Sequence, residues 1–401
     1  MTSSPAELLI DRQGSLLRAA VVCDGRLTDL HVDRHDRPLP QADSIWLGRV
    51  ERLSAGLNAA FIDLGVGRPG LLGISDIRLP GGARPEPGTA AGTLLRCGQT
   101  ALVQVKAEAV GTKGPTLSMD ISLPGRLLVH VPFRRGVTAS RRLGSGPAKA
   151  ALVRRLQAVT VGCGWIARAG SEAACDALIA AESECLASGW QDLTRDAAKA
   201  AAPCRLSAGP DAGRRAIIGM GLRPLTRITV ATDVAWADGF SAWCREAAPD
   251  LAPRLERHRD SSPLFERFDL ESQLEALMDP RVPLSGGAGL VIERTEALTA
   301  IDVNAGERGN ALAVNLEATP EIARQLRLRN LGGIIVVDFV SMTKRSDGQR
   351  LLDALAAAVA DDPVQAEVYG LSKLGLVEMT RARRGPTLAD LLSTAARDLR
   401  P

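Results

Sequence analysis

Two aspartates at the ends of apolar, β-branched runs carry the most informative chemistry in the sequence. Asp302 closes Glu296-Ala-Leu-Thr-Ala-Ile-Asp302-Val-Asn304, and Asp338 closes Gly333-Ile-Ile-Val-Val-Asp338-Phe. Side chains alternate along a strand, so Asp302 and Asn304 share one face while Ile301 and Val303 take the other, and Asp338 points away from Val337 and Phe339. Between the two runs, Thr319-Pro320-Glu321 through Gly332-Gly333 reads as one helix, with Thr319 as N-cap, Pro320 at the first helical position and the glycines as its stop. A strand–helix–strand connection makes such strands parallel and close neighbours, which brings both carboxylates to one edge of a sheet. Like charges so close are unfavourable unless one is protonated or a cation lies between them, and an all-oxygen site suits Mg²⁺ or Mn²⁺. A cation there activates water and neutralises a phosphodiester. The same spacing also allows Asp302 to cap the following turn and Asp338 to sit in a structural ion pair. Arg324, Arg327, Arg329, Arg381, Arg383 and Arg384 lie near in sequence, but a basic helix face is usually a solvated face.

The elements that must position this pair follow from hydrophobic periodicity. Residues 7–33 read as three strands, Glu7–Ile10, Leu16–Val22 and Leu27–Val32, with turn signals at Gln13-Gly14 and Asp24-Gly25. Short strand-like runs at 45–50, 58–64, 70–74, 101–106 and 116–121 suit a small closed barrel of the OB type, with the Pro, Gly and Ala-rich stretch 78–98 as its long loop. Beyond Gly125 the pattern gives one strand-like run (126–132), a basic loop at Arg134-Arg135 and Arg141-Arg142, and helical stretches near 148–158 and 171–201. A strand at 225–231 precedes helices near 235–247 and 269–279, and the segment 287–385 alternates strand, strand, helix, strand, helix, strand.

Length and composition bound the class. The 401 residues allow two or three domains with real cores. A net charge of +3 from 49 basic and 46 acidic residues argues against a polycationic tail, and 45% hydrophobic with 24% charged residues argues against disorder. No apolar run approaches the roughly 18–20 residues that cross a bilayer, and nothing resembles a signal peptide, so the expected compartment is the cytoplasm. The seven cysteines (Cys23, Cys97, Cys163, Cys175, Cys185, Cys204, Cys244) form no CxxC pair; they fit reduced thiols, and no zinc site is expected. Aromatics are only 3% of the chain, so each one near a basic loop is conspicuous as a base-stacking surface.

The run Thr295 to Asn304, with Asn315-Leu-Glu-Ala-Thr-Pro-Glu-Ile-Ala-Arg-Gln-Leu-Arg-Leu-Arg-Asn-Leu-Gly-Gly-Ile-Ile-Val-Val-Asp-Phe339, closely resembles the signature of the bacterial ribonuclease E/G family. Gly48-Arg-Val and Asn58-Ala-Ala-Phe-Ile-Asp63 resemble its OB-fold, Lys113-Gly114 with Ile121 to Val129 the exit from that fold, and Ser140-Arg-Arg142 its basic loop. The resemblance implies an α+β multi-subdomain fold: an OB-fold barrel plus RNase H-like and DNase I-like α/β subdomains. The implied order is an RNase H-like first segment (1–44), the barrel (45–125), a 5′-end-sensor-like segment (126–214), the second RNase H-like segment (215–280) and a DNase I-like catalytic subdomain (281–401).

The implied activity is Mg²⁺-dependent cleavage of single-stranded RNA that leaves 5′-phosphate products in RNA processing or decay, with Mn²⁺ as a possible substitute. Asp302 and Asp338 would hold the metal, and Asn304 would orient Asp302 or the scissile phosphate. RNA contacts would come from Phe61, Lys113, Gly125, Val129, Arg141, Arg168 and Arg381; a core position for Phe61 and surface salt bridges for the arginines are the bland alternatives. A second family aromatic appears here as Leu71, and the Arg-Thr pair that senses a 5′-monophosphate appears as Arg168-Ala169, which removes one donor. The loop between Asn304 and Asn315 is short, and Ala-Arg-Arg-Gly-Pro-Thr-Leu388 follows the last strand where the family has its zinc-binding Cys-Pro-x-Cys. A monomer or weak dimer without a zinc link or scaffold tail is therefore expected. The alternatives are an RNA-binding relative that has lost efficient cleavage and a phosphoesterase for small nucleotides; barrel and basic loops have little purpose on a mononucleotide.

Overall fold

The computed structural model describes residues 5–36, 40–79, 81–109, 113–140, 143–162 and 164–392. The chain divides into two compact units, one of residues 1–24 and 31–259, the other of 25–30 and 260–401.

The chain opens on β1 (Ala6–Gln13), β2 (Leu16–Cys23) and β3 (Arg26–Arg34), the last divided between the two units. The Asp24-Gly25 turn has positive φ at both residues, 51° and 75°, as a tight hairpin between right-twisted strands requires. Next come β4 (Ile45–Ser54), β5 (Ala59–Asp63), β6 (Gly70–Gly73), the single-turn α1 (Ala91–Leu94), β7 (Thr100–Ala107) and β8 (Thr116–Ser118). Their order β4-β5-β6-β8-β7 closes on itself because β7 also pairs with β4. A closed five-stranded barrel results, as the spacing of short strands implies. Its interior is Trp46, Val50, Ile62, Leu72, Val103, Val105 and Leu117, all alternate strand residues.

A four-stranded sheet follows, in the order β11-β12-β10-β9, made of β9 (Leu123–Pro124), β10 (Leu128–His130), β11 (Val137–Ala139) and β12 (Trp165–Ala167). It packs with α2 (Pro147–Val159) and α3 (Asp176–Lys199) around Leu128, Leu156, Trp165 and Ile179. The first unit ends with β13 (Cys204–Ser207), which adds to the barrel edge at β4, and with α4 (Ala212–Met220), β14 (Leu225–Ala231), α5 (Val234–Ala247) and β15 (Leu255–Arg257). The N-terminal sheet runs β15-β14-β1-β2-β3, with α4 and α5 packing on it through Ile217, Phe240 and Cys244.

The second unit carries α6 (Leu264–Arg267), α7 (Leu270–Ala276), β16 (Arg281–Pro283), β17 (Gly289–Arg294), β18 (Leu298–Asn304), α8 (Ala311–Leu328), β19 (Gly333–Asp338), α9 (Arg345–Val359), β20 (Ala366–Leu371) and β21 (Val377–Arg381). The sheet order is β16-β17-β18-β19-β21-β20. Among the described residues of this sheet, only β18 and β19, joined by the α8 crossover, run parallel. One face is buried: Ile301, Val303, Ile335, Val337, Val377 and Met379 pack with Val314, Ile322, Leu326, Leu351 and Leu355 of α8 and α9. The alternate residues, among them Asp302, Asn304 and Asp338, are exposed on the other face.

Helix α8 departs from the expected boundary. It begins at Ala311, with Asn310 as the cap whose side chain accepts from the Ala313 N–H, so Pro320 lies inside it. Ala311, Leu312, Ala313 and Leu316 are good helix formers, and they carry the helix back past the proline. Pro320 has no N–H to give the Leu316 carbonyl; the Thr319 hydroxyl donates to that carbonyl instead at 3.0 Å. The basic face of α8 is spent on the protein itself. Arg324 pairs with Glu321 and donates to the Leu27 carbonyl, Arg327 pairs with Asp29, and Arg329 is buried and donates to Gln325. Among the described residues no helix is long and apolar enough to cross a membrane.

Candidate active site

Asp302 and Asp338 stand directly opposite each other in the parallel β18–β19 register. Neighbouring strands lie about 4.8 Å apart, so the two carboxylates rise side by side from one face. Asn304 lies two residues beyond Asp302 on the same face, and its Nδ2 donates to Asp302 Oδ2 at 2.8 Å. Among the described residues neither carboxylate takes part in an ion pair. Two carboxylates side by side favour a cation between them. The donor set is oxygen only, and no three His, Cys, Asp or Glu side chains gather at one point among the described residues. That set fits Mg²⁺ or Mn²⁺, which take one or two carboxylates and complete their shell with water and phosphate oxygens.

Two further contacts fix the ends of these strands, and the sequence reading missed both. Asn315, fully buried on α8, donates through Nδ2 to the Val340 carbonyl at 2.8 Å and accepts from the Val340 N–H at 3.0 Å. This paired amide contact holds the chain two residues past Asp338. On the other strand, the loop after Asn304 is held by Arg308, whose Nη1 donates to Glu317 Oε2 at 2.5 Å. The Ser285 N–H and hydroxyl donate to the same carboxylate at 2.9 and 3.0 Å. Arg308 and these Ser285 donors hold the Glu317 carboxyl down at about 2. A signal for Asn315 existed: it falls in the apolar stripe of Val314, Ala318 and Ile322, where an amide must find an internal partner.

The expected RNA-binding residues separate into groups. Phe61 is half-buried on the outer surface of the barrel, in register with Arg52 on β4 and Leu71 on β6, so it is not a core residue. Lys113 is exposed in the loop before β8. There Gly114 is required, because a Cβ would meet the Pro69 carbonyl oxygen at 2.1 Å.

Gly125, Val129 and Arg168 come together on the four-stranded sheet. Val129 pairs with Pro124 and Ile166, and Arg168 Nη1 donates to the Gly125 carbonyl at 2.6 Å. Behind them, the Glu182 carboxylate accepts from the backbone N–H groups of Arg126, Leu127 and Leu128 at 2.5, 2.8 and 2.8 Å. Burial pushes its carboxyl up, against the pull of those amides. A Cβ at Gly125 would stand 2.6 Å from that carboxyl carbon, so only glycine fits. Arg141 lies outside the described residues.

Arg381 requires a correction. It was expected to bind phosphate, but it is 3% exposed and points into the core with Val377 and Met379. Its Nε and Nη2 donate to Asp362 at 2.8 and 3.2 Å, and its Nη1 donates to the Leu331 carbonyl at 3.0 Å. Alternation along β21 turns it inward, and an internal carboxylate has already claimed its charge.

Comparison with known proteins identifies the family. The family described as the ribonuclease E/G family matches residues 122–384. Ribonuclease E of Nostoc sp. is 35% identical across 96% of this chain and 57% of its own length, so the chain spans little more than half of that relative. Ribonuclease E of Synechocystis sp. is 34% identical across 88% of this chain and 53% of its own length. Ribonuclease G of Escherichia coli K12 is 32% identical across 96% of this chain and 82% of its own length. The chain belongs to the ribonuclease E/G family and is an enzyme of that type.

Proposed function

We propose that the chain is an endoribonuclease that cuts single-stranded RNA in RNA processing or decay, with Asp302 and Asp338 holding one Mg²⁺ or Mn²⁺. The observation that carries this reading is the in-register pair of carboxylates, neither of them in an ion pair among the described residues, in a chain of this family. When bound, a divalent ion supplies activation of water and neutralisation of the phosphodiester. The residues do the rest. Asp302 and Asp338 are fixed by the β18–β19 ladder, so they need no rearrangement to bind. Asn304 holds Asp302 Oδ2 by its Nδ2–H and sets the plane of that carboxylate. Attack of water on phosphorus with the 3′ oxygen leaving yields a 5′-phosphate on the downstream product.

Recognition of the substrate falls to the barrel face around Phe61 and Lys113, and to the Gly125–Val129–Arg168 group for the 5′ end. The sheet of the second unit fits the DNase I-like catalytic subdomain of 281–401, and the N-terminal sheet the RNase H-like one of 1–44 and 215–280. The cysteines, without CxxC spacing, accord with a reducing cytoplasmic setting. The test is cleavage of an unstructured labelled oligoribonucleotide with Mg²⁺ and with a chelator, and mass analysis of the product ends. Mg²⁺-dependent products with 5′-phosphates support the proposal. Tight binding with no cleavage identifies the RNA-binding relative instead.

A further inference from the structure

Several cations in and beside the barrel are paired within the protein, and Arg52 differs from these. Arg78 and Arg134 pair with Asp120, Lys106 pairs with Asp76, and Arg49 donates to the carbonyls of Gly98 and Ala202. Arg52 is exposed and, among the described residues, has no ion-pair or hydrogen-bond partner. It lies over the Phe61 ring, with the guanidinium carbon 3.5 Å from the ring centroid. The register explains the contact, since Arg52 on β4 is directly opposite Phe61 on β5, with Leu71 on β6 and Thr116 on β8 continuing the row. None of these four side chains is buried. The barrel therefore presents a continuous outer row of cation, aryl ring, aliphatic and hydroxyl, and the guanidinium over the ring is held by no ion pair or hydrogen bond among the described residues.

We infer that Arg52 is an exchangeable cap on Phe61: an unpaired RNA base takes the ring face, and the displaced guanidinium moves to the phosphate of that strand. The inference rests on the proposal that this face binds single-stranded RNA. An exposed cation–aryl contact is weaker in water than a base stacked on an aryl ring, so the base wins the exchange. The guanidinium then gains a phosphate, for which its flat fork is suited, and no charge is stranded. In the absence of RNA the cap keeps the exposed ring from offering a bare apolar surface. Leu71 extends that surface on the far side but supplies no competing π face.

The test is equilibrium binding of a short unstructured oligoribonucleotide to the full chain, with chelator present to prevent cleavage, followed by fluorescence anisotropy between about 50 and 300 mM salt. Arg52→Ala removes cap and phosphate contact together. It should lower the slope of log affinity against log salt by about 0.7, weakening binding at low salt while equalling or exceeding wild type at high salt. Arg52→Lys keeps a charge for phosphate but caps the ring poorly, so it should keep the slope and bind as tightly as wild type or more tightly. Phe61→Leu, which retains apolar volume, should lose about tenfold at every salt concentration. An unchanged slope in Arg52→Ala overturns the exchange, as does an Arg52→Lys variant as weak as Arg52→Ala, which would make the guanidinium plane itself the stacking surface. If Phe61→Leu binds normally while its melting curve matches wild type, the RNA-binding reading of this face fails, and the exchange with it.

Discussion

Replacing Asn315 with leucine tests whether the α8–β19 contact positions the carboxylate pair. Leucine has the branching of asparagine with larger terminal groups, so no cavity opens at this fully buried position and any overpacking adds to the cost. What is lost is both hydrogen bonds to Val340, at 2.8 and 3.0 Å, and with them the partners of one backbone N–H and one carbonyl. Each buried group left unsatisfied costs about 1–3 kcal/mol, which gives about 2–6 kcal/mol in all. Val340 is only partly buried, so water recovers some of this and the lower part of the range, about 2–3 kcal/mol, is expected. The chain two residues past Asp338 is then freed, and a misplacement of the order of 1 Å at a reacting group lowers turnover by up to about 100-fold. Urea unfolding measures the first effect, as a lower midpoint at constant slope. Steady-state cleavage in Mg²⁺, well below the melting temperature, measures the second. A variant within about 0.5 kcal/mol of wild type with unchanged kcat/KM would refute the reasoning.

Arg381→Met removes the guanidinium that pairs with Asp362, 1% exposed, so it should destabilise the chain by about 3–5 kcal/mol while RNA affinity of the folded protein is unaltered. Selective loss of RNA binding at full stability would restore the phosphate role. At Asp120 burial opposes ionisation, but Arg78 and Arg134 outweigh it and lower its carboxyl below the ordinary 3.8. Its contribution is therefore full above about pH 3.8 and lost as pH falls through the lower folded value; Asp120→Asn should be less stable at neutral pH and show a flatter loss of stability on acidification below that point. An acid limb identical to wild type would contradict this. Ala169→Thr restores a hydroxyl beside Arg168 and should raise the preference for 5′-monophosphate over 5′-hydroxyl substrates by about fivefold, the worth of one hydrogen bond of about 1 kcal/mol. An unchanged ratio would show that position 169 does not face the 5′ end.

The juxtaposition of Asp302 and Asp338 was legible because strand alternation and a helical crossover are enough to put two strand-end aspartates side by side, and the register then makes them direct neighbours. Phe61 was legible for the same reason: alternation separates it from Ile62 and Leu64, which are buried. The helix between the strands was misjudged at its start because proline at a first helical turn is a local rule. Thr319 defeats it by giving its hydroxyl to the carbonyl the proline cannot reach. Arg381 was misjudged by attending to its charge rather than its place, since Val377, Met379 and Arg381 alternate onto one inner face. Its partner Asp362 is 19 residues away, beyond the reach of spacing arguments. Asn315 and the Arg308–Glu317 clamp depend on contacts between a helix and loops, which no single-strand or single-helix period encodes.

The central claim is that Asp302 and Asp338 perform the chemistry by holding a divalent cation. The most direct measurement compares wild type with Asp302→Asn, Asp338→Asn and the double variant, in a single-turnover cleavage assay on a labelled single strand with Mg²⁺, alongside RNA affinity measured in chelator. The account predicts that cleavage is abolished in all three while RNA affinity and folding are nearly unchanged. A double variant that cuts at the wild-type rate in Mg²⁺ would contradict it.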